Sequence, residues 1–185
     1  GVIDFAQSTA FSLKSPETNT TAINNLIDVL SDTNSSIDAA ALYFVDSDND
    51  VQNGYGWDGN ITTISTQHGV MHPIRRHTTP TIEDIFIPID SSTGLDNNLT
   101  NVDVSDYYKL AWTAYAVGIS DYNSTATGGN NTGTLMLYYN YQPWNGENYL
   151  SPGTISQKIM ENVSTFQFMA IGSLIKIQVC VKSNL

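Results

Sequence analysis

Carboxylates at alternate positions carry the first chemical signal in this chain. Asp46, Asp48 and Asp50 occur in Asp46-Ser47-Asp48-Asn49-Asp50, and Asp58 follows after a glycine-containing stretch. A hard cation collects several oxygens from a short, tight turn, so calcium is the candidate cofactor and these four residues are its candidate ligands. The helix–loop–helix form of such a loop is not met. Its sixth position is Val51 rather than glycine, and its twelfth is Trp57 rather than a bidentate glutamate. The competing reading is a solvated acidic turn in a strongly acidic chain.

The remaining reactive side chains assemble into no recognisable machinery. His68, His72 and His77 share a segment with Arg75 and Arg76, but Pro73 breaks any helix that would hold His72 and His77 as zinc ligands. A polar surface segment is the expectation there. Serine, histidine and aspartate are all present without a G-x-S-x-G elbow, and neither a phosphate loop nor a dinucleotide fingerprint occurs. Glu83, Asp84, Glu147 and Glu161 show no pairing suited to glycoside hydrolysis. The chain therefore reads as a non-enzyme. Trp57, Tyr55, Trp144 and Tyr149 lie in glycine- and asparagine-rich stretches and are the candidate partner-binding residues, because large rings dominate interfaces and stack on sugars. Loop aromatics folding back over a small sheet are the competing reading.

The bulk properties narrow the partners. The chain has 185 residues, a formal net charge of −11 and a pI near 4.2. An acidic surface repels phosphate backbones and anionic lipid, and seven basic residues cannot form a phosphate-binding stripe, so nucleic acid is excluded. Hydrophobic content of 41% is too high for a disordered chain and sufficient for one core. Cys180 is the lone cysteine and reads as a small hydrophobe.

The elements follow from periodicity. Residues 1–13 read as the end of a helix stopped by Ser15-Pro16. Ile23, Leu26, Ile27 and Leu30 predict a helix over 21–30, capped by Thr20 or Thr21. Strands are expected over 39–45, 85–89, 108–117 and 134–141, with Pro88 placing the second at an edge or marking its end. Thr154-Ile155-Ser156-Gln157 has the form of a capping box, and Ile155, Ile159, Met160 and Val163 recur at helical spacing, so a further short helix is predicted there. Phe166 and Phe168, then Ile175, Ile177, Val179 and Val181, alternate with polar residues around Gly172-Ser173, which predicts a hairpin with one buried face. Phe166, Phe168, Ile175 and Ile177 are the expected core of that hairpin, and on this reading Ile177→Asp would abolish soluble expression.

The ENVSTFQF phrase beginning at Glu161, followed by a turn and a strand ending in IQVCV, resembles the C-terminal part of bacterial type IV pilin-like proteins, the minor pilins and the pseudopilins of type II secretion systems. The resemblance covers roughly the last 80 residues. It implies one α+β domain over 1–185, with N-terminal helices (about 1–35) packed on one face of a mostly antiparallel β-sheet (about 39–185). It further implies a structural, non-catalytic subunit that assembles with other pilin-like subunits. Such a head would face the periplasm or cell surface of a bacterium and be tethered to the inner membrane by an N-terminal helix absent from this chain. A secreted glycan-binding module and a calcium-dependent adhesin-like module are the alternatives.

Overall fold

The computed structural model describes residues 1–47, 71–90, 93–125, 128–171 and 174–183. Among them are one α-helix, α1 (Thr20–Leu30), and nine strands. These are β1 (Leu13–Lys14), β2 (Ala41–Phe44), β3 (His72–Arg76), β4 (Ile85–Pro88), β5 (Tyr108–Ala111), β6 (Ala116–Asn123), β7 (Thr132–Tyr139), β8 (Ile155–Ile171) and β9 (Leu174–Val181). The chain divides into two compact units, one formed by Gly1–Ala114 with Asn140–Gly153, the other by Tyr115–Tyr139 with Thr154–Leu185.

The first unit carries a five-stranded antiparallel sheet in the order β1-β4-β3-β2-β5. β2 shows how its sequence dictates burial. Successive side chains of a strand point to opposite faces. Leu42 and Phe44 accordingly enter a cluster with Ile27, Ile37, Ile74, Phe86 and Tyr108, while Ala41 and Tyr43 meet Met71 and Trp144 in a second cluster. Helix α1 begins where Asn19 accepts a hydrogen bond from the Ala22 amide through its side chain. Its apolar stripe faces inward only in part, with Ile27 buried and Leu26, Val29 and Leu30 exposed. Tyr108 ties the N-terminal segment to β5: its ring meets Phe86 edge-on, and its hydroxyl shares hydrogen bonds of 2.8 Å with Ser15 and Thr18.

The second unit is a four-stranded antiparallel sheet in the order β6-β7-β8-β9. β8 runs through it as a 17-residue strand. Its first half pairs with β7 and its second half with β9, the pairings meeting at Val163, which lies opposite both Gly133 and Val181. The register places Ile155 opposite Tyr139, Gln157 opposite Leu137, Met160 opposite Leu135 and Val163 opposite Gly133. The steps along β7 are even, whereas those along β8 include two extra residues. Against β7, β8 therefore bulges twice, at Ile159 and around Asn162, which has φ 58°, and against β9 it bulges once more, at Ser164.

These findings overturn the α+β expectation and the pilin-like resemblance. The structure is mostly β, with two antiparallel sheets and one short α-helix, and this does not fit a pilin fold. Residues 1–13 form a 3₁₀ turn (Phe5–Gln7) and the start of β1 rather than a helix end. The predicted helix at Thr154–Val163 is the first half of β8. Two bulges bring Ile155, Met160 and Val163 onto one face at spacings of five and three, which imitates a helical stripe. Strand pairing with β7 then prevails over the local capping signal, since propensity is a weak prior against tertiary context. The single strand expected over 108–117 is two, β5 and β6, in different sheets. The expected hairpin core is also overturned: Phe168 is 72% and Ile177 62% exposed, Ile175 is equally open, and Phe166 is half-buried. The Gly172-Ser173 turn lies outside the described residues.

Burial assigns opposite consequences to similar side chains. Phe44→Ala opens a cavity in the first unit and should cost about 3–5 kcal/mol. Phe168→Ala should change stability by about 0.5 kcal/mol or less, and Ile177→Asp should still fold. Urea denaturation followed by circular dichroism checks all three, and a large loss on Phe168→Ala would show that this ring is covered.

Candidate functional site

The candidate residues separate in the structure. Of the acidic set, Asp46 lies in the turn after β2, where its carboxylate accepts a hydrogen bond from the Ser105 hydroxyl at 3.3 Å. Asp48, Asp50 and Asp58 lie outside the described residues, as do the candidate anchors Trp57 and Tyr55 and the histidine His68. Among the described residues no group of three or more His, Cys, Asp or Glu could hold a metal ion. His72 is buried in β3 with its ring 5.1 Å from that of Phe44, and His77 stands at the end of that strand.

Trp144 and Tyr149 belong to the loop between Asn140 and Gly153. Trp144 sits in a 3₁₀ turn (Pro143–Asn145) closed by Gly146 in the left-handed region, φ 82°, which a glycine adopts without strain. Its ring packs on Ala41 and Met71, and its indole N–H donates to the Ala39 carbonyl at 2.8 Å. Gln142 fastens the same loop, its side-chain amide donating to the Trp112 carbonyl at 2.8 Å and its backbone amide to Glu147 at 2.7 Å. Tyr149 remains exposed at the surface of that loop. Tyr141 is buried, and this burial, followed by the charge of Tyr149, raises its phenol above the ordinary range.

The apolar surface that the sequence assigned to a core lies elsewhere, in the second unit. Directly opposed residues of an antiparallel pair share a face. The pairings Val117–Leu137, Leu135–Met160, Val163–Val181, Phe166–Val179 and Phe168–Ile177 therefore build one apolar face across all four strands. Gln157, opposite Leu137, also lies on this face, and Lys158, Gln167, Lys176 and Gln178 lie on the other together with Met136, Met169, Ile171 and Leu174. Leu135 and Val163 are buried at the middle of the apolar face, and Met160, Phe168, Ile175, Ile177 and Val181 are exposed around them. The alternation of Phe166–Phe168 and Ile175–Val181 was a sequence signal for this face. Only its exposure was beyond the sequence.

No protein-family model, curated protein or solved structure matches this chain.

Two expectations follow for the Trp144 loop. Trp144→Ala removes a buried ring and its hydrogen bond and should cost about 3–5 kcal/mol, whereas Trp144→Phe keeps most of the packing and should lose far less, by chemical denaturation. Tyr141 supplies a pH dependence. An unfolded tyrosine ionises near ~10, while the folded one resists ionisation. Above that pH the unfolded state has lost more protons, so stability falls as pH rises through about 10 and is unaffected below it. Tyr141→Phe should lessen that alkaline decline in urea melts at pH 9 to 11.

Proposed function

We propose that this protein is a non-catalytic structural subunit that assembles with other protein subunits through the apolar face of its β6–β9 sheet. The exposure of Phe168, Ile175 and Ile177 carries this reading. A β-sheet apolar on one face normally buries that face against another layer. Large contiguous apolar surface on a folded protein marks an interaction site, and burying each such side chain contributes roughly 1.5–3 kcal/mol.

Charge supports a protein partner over the alternatives. From Asn162 to Leu185 the chain holds Lys176 and Lys182 and no acid, so all 18 carboxylate residues lie before this segment. The acidic remainder repels like-charged partners, while the β8–β9 ribbon does not. Aliphatic side chains dominate the exposed ribbon. They offer no hydrogen bonds to sugar hydroxyls, which weakens a glycan-binding reading. β9 is also an edge strand of eight residues without proline or glycine, a segment that pairs readily with another chain unless covered.

The test compares the two faces of one strand. A photo-crosslinking amino acid at position 177 should couple to a protein subunit in cells of the source organism, while the same group at 176, on the opposite face, should not. Equal coupling from both positions, or none from 177, would overturn the assignment. Binding to a glycan array that survives Ile177→Asp would promote the sugar-binding alternative instead.

A further inference from the structure

A cavity of about 520 Å³ opens in the first unit beside the start of α1, lined by Thr20, Thr21, Asp38, Arg76, His77 and Ile82 among others. Both arginines of the chain and His77 follow one another at the end of β3, and all three line this cavity. Each arginine has an aspartate partner, Asp96 for Arg75 and Asp38 for Arg76, so what the cavity offers an anion is guanidinium N–H donors rather than net charge. We propose that this cavity is a binding site for an oxyanion, the carboxylate, phosphate or sulfate group of a small molecule.

The hydrogen bonds already made show which donors are left. Arg75 is spent: its Nε and Nη2 both donate to Asp96 at 2.8 Å, and its Nη1 donates to the Arg76 carbonyl at 3.0 Å. Arg76 is not. Its Nε reaches Asp38 at 3.3 Å, and Nη1 and Nη2 make no hydrogen bond with any described residue. Asp38, the acid of the cavity, is itself engaged, since it also accepts from the Arg76 backbone amide at 2.8 Å. That pairing holds the guanidinium at Nε and leaves Nη1 and Nη2 as a fork, the geometry that holds an oxyanion through two parallel bonds.

Two further donors belong to the same wall. At the start of α1 the Thr20 amide donates to the Glu83 carbonyl, the Ala22 amide to the Asn19 side chain and the Ile23 amide to the Asn19 carbonyl. The Thr21 amide is the first-turn donor left without a partner among the described residues, and helix starts favour negative charge. His77 accepts from the Thr79 amide through Nδ1 at 3.0 Å, so the neutral ring carries its proton on Nε2 as a donor. The distant acidic surface does not cancel this site, because exposed charges beyond about 8–10 Å are largely screened at physiological salt. The volume accommodates a ligand larger than a bare ion.

The test is a nitrogen-15 NMR titration of the full chain with sodium acetate, sodium phosphate and sodium sulfate in separate series, with sodium chloride holding ionic strength constant. At least one oxyanion should give saturable shifts of the Thr21 amide and the Arg76 Nε–H. The tightest of the three assigns the ligand group as carboxylate, phosphate or sulfate ester. Arg76→Gln should weaken that binding at least tenfold with the rest of the spectrum unchanged. Arg76→Lys, which keeps the charge and loses the fork, should weaken it several-fold, and it decides the matter if the glutamine variant does not fold. Shifts reproduced by chloride, absent with all three oxyanions, or unchanged in a folded Arg76 variant would overturn the site.

Discussion

The backbone pairing of β8 is the constraint on which the second unit rests. A strand of 17 residues needs partners for its amides and carbonyls along its whole length, since unpaired backbone groups are costly away from water. β7 supplies them up to Val163 and β9 from there to Ile171. Beyond Val163 the structure is therefore a two-stranded ribbon. Such ribbons are marginal alone, and three or more strands or a covering element usually complete them. The exposed apolar face and the thin pairing of this ribbon are thus two aspects of one incomplete layer.

The first unit satisfies the same rules by another route. β2 is buried on both sides because its alternating side chains meet two separate clusters, with Trp144 closing the second. The indole sits there because the 3₁₀ turn and Gly146 reverse the chain, and because Ala39 offers a carbonyl to its N–H. A buried indole needs such a partner. Trp144 is thereby spent on the interior, and Tyr149 is the member of that pair whose ring reaches solvent.

The scarcity of cations shapes the surface. Lys14 pairs with Asp84, Arg75 with Asp96, Arg76 with Asp38 and Lys158 with Glu161. The last pair lowers the Glu161 pKa, through the hydrogen bond from Lys158 and then its charge. Exposed pairs of this kind contribute little to stability. Their effect is positional, and it is most consequential at Arg76, where one carboxylate holds the guanidinium through Nε and leaves the Nη1 and Nη2 donors unused.

The amino-acid sequence by itself determined the elements whose signals are local. Helix α1 was legible from Ile23, Leu26, Ile27 and Leu30, although Asn19 rather than a threonine caps it. The strands β2, β4 and β7 were legible from apolar runs between turn residues. The apolar alternation of Phe166–Phe168 and Ile175–Val181 was legible too, but periodicity reports which residues share a face and never what lies against it. Only the tertiary structure decided that this face is open. It also decided that Thr154–Val163 is a strand, because the bulges at Ile159 and Asn162 rephase the side chains into a helix-like spacing that only the register with β7 explains. The convergence of Thr21, Arg76 and His77 on one cavity was likewise beyond the sequence, since α1 and β3 are far apart along the chain and only the packing of the first unit brings their ends together.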